Sequence, residues 1–280
     1  MLSWIDGALS MNKKTLLVVA ALGAVTVISM ATKPNSEGLV LPSCDTQPIV
    51  DTEVHFFVDN DVLEQSNKQE VSDFFTRSIK QSNLILTNSC IPMTRSLGTI
   101  TYVEIDKDNI HDMYTIHREL ENRLNTDNLH QLFPMPNQYY GLVLEKKYQD
   151  ITGFSGMTET NLSQQFFALT MHSSLFTLEH ELGHLAWAEH LEGHPIPNLG
   201  KWLQSTTSPD LQHHLKPYAR AYKCGTAGTV MSYENEILPI YSNPETTYRA
   251  KVCGNAEDGD NARVLREFAH TLAEKSNSNP

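Results

Sequence analysis

Residues 178–190 read LEHELGHLAWAEH, and no other stretch constrains this chain as much. A helix turns about 100° and rises about 1.5 Å per residue, so His180 and His184 sit about 40° apart in azimuth and about 6 Å apart along the axis. Two imidazoles on one face can grip a single ion, and Glu181, one residue on from His180, can reach water bound to it. The flanks, LFTL before and LAWA after, are apolar, as a buried ligand helix requires. If the helix ran on, His190 would lie about 9 Å past His184 and about 240° around the axis, out of reach of the same ion. The chain must therefore leave the helix between the two for a third imidazole to close on the pair. The competing third ligands are His194, on a helix prolonged to a cap at Gly193, and a distant glutamate.

With His180, Glu181, His184 and His190 in place, the segment resembles the extended H-E-x-x-H-x-x-G-x-x-H signature of the metzincin zinc endopeptidases. One position departs from it: Trp187 stands where that family has glycine. The glycine there permits the turn that swings the third histidine back. A non-glycine residue with positive φ costs roughly 1–2 kcal/mol, less than a metal–ligand bond supplies. Either Trp187 accepts that conformation or the turn is rebuilt around Ala186–Ala188. A second resemblance lies about forty residues further on. The segment 224–233, CGTAGTVMSY, is similar to the methionine turn of the family, with Met231 at its centre. The form TVMSY is close to that of serralysins and bacterial reprolysin-like peptidases. The resemblance implies an apolar thioether floor under the imidazoles. It implies for Tyr233, two residues on, a role in ligation or oxyanion stabilisation. It also implies that 237–245, ILPIYSNPE, lines a specificity pocket. These likenesses and the C-terminal DNARVL segment span roughly 164–275.

The 280 residues carry 21 basic and 33 acidic side chains, a formal net charge of −12, which argues against a nucleic-acid partner. Residues 11–31 have the pattern of a secretory signal peptide: Lys13 and Lys14, an apolar run from 15 to 28, and Ser29-Met30-Ala31 as a small-x-small cleavage site. Met11 reads as a start, with 1–10 an upstream extension; the rival reading is a membrane anchor through 15–31. The expected location is therefore exported, secreted or periplasmic. Four cysteines in an exported chain suggest two disulfides. Three pairings exist; Cys44–Cys90 with Cys224–Cys253 keeps each pair within one half of the chain. The lead-in LPSCDTQP also offers Cys44 as a plug for the metal, as in some metzincin zymogens.

Apolar runs at 54–59, 98–106, 139–145 and 164–171 read as strands, and helical periodicity at 64–86, 110–124 and 258–275 as helices, the last capped by Asp260 or Asn261. A Pro/Gly-rich region covers 193 to about 230. The order is that of one α/β (α+β) domain. By resemblance it is a zincin domain with a mixed, mostly parallel sheet, an active-site helix, a methionine turn and a C-terminal helix. The expected organisation is 1–31 extension and signal peptide, 32–49 exposed lead-in, 50–275 catalytic domain and 276–280 polar tail. No Gly/Asp nonapeptide repeat is present, so the calcium-binding repeats of serralysins are absent.

The resemblance implies Zn²⁺ held by His180, His184 and His190, Glu181 as general base, Tyr233 as a catalytic helper and Met231 as a structural support. The implied substrate is protein or peptide. A zinc-stabilised, catalytically weak binding or envelope protein is the alternative, with Trp187 its best argument.

Overall fold

The computed structural model describes residues 38–44, 47–149 and 155–278. The signal-peptide expectation at 1–31 lies outside the described residues. Among those described, no helix is long and apolar enough to cross a membrane.

In chain order come β1 (Leu39–Val40), β2 (Val50–Asp59), α1 (Lys68–Asn88), β3 (Met93–Val103), α2 (Met113–Leu124), β4 (Gln138–Leu144), β5 (Gly156–Thr158) and β6 (Phe166–Thr170). They are followed by α3 (Thr177–Leu185), α4 (Leu199–Thr206), β7 (Lys223–Cys224), β8 (Ala227–Gly228), β9 (Asn243–Tyr248), β10 (Lys251–Cys253) and α5 (Asn261–Ser278). The central sheet has five strands in the order β3-β2-β4-β6-β5. Its first four strands are parallel, and β5 runs antiparallel to β6 at the edge.

The apolar runs follow from this topology, because a parallel strand covered on both faces has no solvent side. Val54, Phe56 and Val58 of β2 pack with Phe75 of α1 and Leu182 of α3 on one face. Phe57, with Leu142 of β4, packs with Ile116 and Leu120 of α2 on the other. The helix starts are closed locally. Asn67 accepts from the backbone N–H groups of Gln69 and Glu70, and Glu70 accepts from the N–H of Asn67. Asp112 and Thr115 form the same reciprocal cap on α2. Asp260 accepts from the backbone N–H of Arg263 at 2.9 Å, so it, rather than Asn261, caps α5.

Several elements depart from the sequence expectation. The strand expected from 98 starts at Met93, and α5 runs to Ser278, into the polar tail. The Pro/Gly-rich region contains α4, whose N-cap Asn198 is left-handed and makes no side-chain cap bond, so no start signal marked it. The lead-in is not free: Leu39 and Val40 pair with Tyr248 and Thr247 of β9. Cys44 is joined to Cys90 and Cys224 to Cys253, with no free cysteine. Cys44 is thereby removed as a plug for the metal site.

Candidate metal centre

The site is built on α3. Leu178, Leu182 and Leu185 face the core, which turns His180, Glu181 and His184 toward the cleft. A buried ion pair sets the rotation of the helix. Glu179, next to His180, takes Arg95 in a two-pronged contact: Nη2 to Oε1 at 3.1 Å and Nε to Oε2 at 3.2 Å, both side chains fully buried. The Tyr241 hydroxyl lies 2.9 Å from both the Oε1 and the backbone carbonyl of Glu179. Burial acts to lower the Arg95 pKa, but Glu179 beside it reverses the shift, so the guanidinium stays charged. Nothing in the sequence pairs residues 95 and 179, and this network was not anticipated.

The helix stops at Leu185 in a Schellman turn. The Ala188 N–H reaches the Gly183 carbonyl and the Trp187 N–H reaches the His184 carbonyl, both at 2.9 Å. Trp187 occupies the left-handed position of that motif, with φ +68°. Of the two alternatives for this turn, Trp187 accepts the strain. Its indole offsets the cost: it is 4% exposed, stacks on His214 at 4.6 Å between centroids, and packs on Ala219 and Val264. Burying an aromatic ring of roughly 150–250 Å² is worth about 4–6 kcal/mol at about 25 cal/mol/Å². That exceeds both the roughly 1–2 kcal/mol of the left-handed backbone and the roughly 1–3 kcal/mol of leaving its buried Nε1 without a partner.

Past the turn the backbone is fastened to the far end of the chain. Asn261 Oδ1 accepts from the Glu189 N–H at 3.1 Å, and Asn261 Nδ2 donates to the Glu189 carbonyl at 2.9 Å. The Ala221 N–H reaches the same carbonyl. His190 is thereby held against the helix. Its Nε2 lies 3.0 Å from that of His180 and 2.9 Å from that of His184. Among the described residues these three form the one cluster of three or more His, Cys, Asp or Glu side chains close enough to share a metal ion. His194 stays outside it, exposed, with its ring 6.1 Å from that of Tyr233.

The donor set suits a divalent metal. His180 Nδ1 donates to the Val230 carbonyl at 3.0 Å, which fixes the tautomer and leaves Nε2 with its lone pair free. All three rings are held neutral. Burial lowers His180, and lowers His184 further with help from His190 and His180. Burial, then His180 and His194, push His190 down to about 3. Three neutral imidazoles converging on one point could hold a metal ion.

Met231 lies under the helix, fully buried. A Cβ on Gly183 would come within 2.8 Å of its sulfur and 2.7 Å of the Tyr241 hydroxyl, so a side chain at 183 would force these two groups or the helix to shift. Glu181 is buried and its carboxyl is pushed up to about 8, by burial against a hydrogen bond from Thr158. Tyr233 is 53% exposed, with its hydroxyl 3.4 Å from His190 Nε2. Burial and then Glu181 raise its pKa. Ile237 and Tyr233 line a pocket of about 410 Å³ beside His180 and Glu181, but Tyr241 is buried beneath Glu179 rather than lining it.

No family model and no curated protein matches the sequence. Among solved structures, the chain is similar to one described as a chaperone–substrate complex, with TM-score 0.57 and 16% identity over 85% of this chain and 37% of that one. It also matches the crystal structure of metalloproteinase-II from Bacteroides fragilis, with TM-score 0.43 and 15% identity over 81% of this chain and 55% of that one. The chain thus spans between a third and just over half of the length of these structures. The first likeness shows a shared fold.

Proposed function

We propose that this chain is a zinc-dependent endopeptidase acting outside the cytosol. The observation that carries the reading is the convergence of the three Nε2 atoms of His180, His184 and His190, with the Glu181 carboxylate one residue along the same helix. Zinc, when bound there, supplies Lewis acidity for a peptide carbonyl and makes water acidic near pH 7. Glu181 takes the proton of the attacking water and passes it to the departing nitrogen. Burial raises the Glu181 pKa, and a dication held by the adjacent imidazoles would draw it back down toward the ionised form that a base requires. The Tyr233 hydroxyl, close to His190, donates to the oxygen on which charge develops. The sheet, Met231 and the Arg95–Glu179 pair hold these groups still.

The reading of a zinc-stabilised, catalytically weak binding protein rested on a distorted turn at Trp187. With that turn bringing His190 onto the other two rings, no observation favours it over the peptidase. The two disulfides point to an extracellular or periplasmic location; export through 11–31 and a protein or peptide substrate, rather than nucleic acid, belong to the same proposal. The test is metal content of the purified protein together with cleavage of a denatured protein, before and after chelation. One zinc per chain and cleavage lost on chelation and regained with zinc is the expected result. Absence of bound metal after zinc loading would overturn the proposal.

A further inference from the structure

A second pocket, of about 340 Å³, opens at the histidine trio on the side of His184 and His190. Its far wall is α4 and the turn before it: Ile196, Leu199, Trp202 and Leu203. Facing them is the turn after β5, with Glu159 and Asn161. The walls combine an aliphatic floor, an indole that is 46% exposed, and two glutamates, the buried Glu189 beside the trio and the half-buried Glu159, with no lysine or arginine lining the space. The Glu159 carboxylate is oriented: its Oε1 accepts from the Asn161 N–H at 3.1 Å and from Asn161 Nδ2 at 2.9 Å. Among the described residues Glu159 has no ion pair.

We propose that this pocket receives a lysine or arginine side chain of the peptide substrate, with Glu159 selecting its charge and Trp202 and the leucines packing its stem. The inference rests on the peptidase reading and names its specificity. A basic side chain carries three or four methylenes that pack on apolar walls and a cationic head that takes a carboxylate and an aromatic face. An apolar side chain of the same length would strip water from the Glu159 carboxylate without offering it a cation, which costs free energy. The net charge of −12 agrees, since an acidic surface draws basic peptides into the cleft.

The experiment uses peptides identical except for Arg, Lys, Leu or Phe at one position, scanned across the cut bond. Cleavage is measured with the zinc-loaded protein, with Glu159→Gln and with Trp202→Ala. Equilibrium binding of the same peptides is measured by fluorescence anisotropy in a Glu181→Gln background. The expected result is a preference for Arg and Lys of about tenfold over Leu in kcat/KM and in binding, falling to near unity in Glu159→Gln. Trp202→Ala weakens the basic peptides through KM rather than kcat. A preference for Leu or Phe, or an undiminished basic preference in Glu159→Gln, overturns the assignment. Binding with the basic preference but no cleavage by the parent supports the pocket assignment and sinks the peptidase reading. Neither binding nor cleavage overturns both.

Discussion

Asn261 and Glu189 exchange a pair of hydrogen bonds, Oδ1 accepting from the Glu189 N–H at 3.1 Å and Nδ2 donating to its carbonyl at 2.9 Å. The first residue of the closing helix thus clamps the backbone one residue before His190. Asn261 is itself held by Ser242, whose hydroxyl accepts from the Asn261 N–H and donates to the Arg220 carbonyl. Asn261→Asp keeps the acceptor and loses the donor, while Asn261→Ala loses both. Zinc affinity should fall about 10- to 100-fold in Asn261→Ala and less in Asn261→Asp, as for other groups that orient a ligand. Competition against a chromogenic chelator measures it. Unchanged affinity in both variants would remove the clamp from the metal site.

Trp187 separates backbone strain from side-chain packing. Trp187→Gly keeps a residue suited to φ +68° and gives up the buried indole. Trp187→Ala gives up the indole and keeps the strain. Both lower stability, Trp187→Ala by about 3–5 kcal/mol and Trp187→Gly by about 1–2 kcal/mol less. Denaturant melts of the two variants give the difference directly. If alanine proves as stable as glycine, the turn carries no strain.

The sheet and its helices were legible because burial on both faces of parallel strands leaves unbroken apolar runs, as in VHFFVD and YYGLVLE, and because Asp260 stands just before a helical stripe; the helix expected from 110 starts only at Met113, capped by Asp112. The spacing of His180 and His184 marked a shared helix face without any tertiary information. What stayed hidden depends on distance along the chain. Arg95 and Glu179 are 84 residues apart and Asn261 and Glu189 are 72 apart, and no local pattern links either pair. Of the two candidate caps for the closing helix, Asp260 takes the role and Asn261 turns inward to Glu189. Helix α4 escaped notice because its left-handed Asn198 gives no side-chain cap, although it supplies one wall of the cleft.

His214 links the same turn to pH. It stacks on Trp187, and burial first, then His213, Lys275 and Lys216, push its pKa down to about 4. A depressed histidine is favoured neutral in the fold. Its contribution to stability is fully present above about pH 6.5 and is lost as the pH falls toward about 4. Replacing it by phenylalanine keeps a ring on the indole and removes the titration. The zinc-loaded parent should lose more stability than His214→Phe between pH 6.5 and 4. Parallel melting curves across that window would count against a buried neutral His214.

The disulfide between Cys44 and Cys90 closes a loop across 46 residues and ties the segment that carries β1 to the end of α1. Chain-entropy arguments put the loss on removing such a link at about 2–4 kcal/mol. The Cys44→Ser/Cys90→Ser double variant should melt at lower denaturant yet take up added zinc as the parent does, because neither cysteine lies at the trio. Loss of zinc at full folding would tie this bridge to the site itself.

Gly156 and Glu181 make the last argument, because the edge strand leaves room for the base. A Cβ at 156 would come within 2.5 Å of Glu181 Oε1 and 2.6 Å of Thr177 Cγ2. Gly156→Ala therefore has to push the carboxylate out of place, while Glu181→Gln leaves it in place and removes its basicity. Both should bind zinc like the parent, since the imidazoles are untouched. Glu181→Gln should lower kcat by about 10²–10⁴, the range that general acid–base catalysis supplies. Gly156→Ala should give a smaller loss, again in kcat more than in KM, because the base is displaced and not removed. Zinc stoichiometry and steady-state kinetics on the two variants decide it. Parent-like turnover by Glu181→Gln would take the general-base role away from this residue whatever Gly156→Ala does.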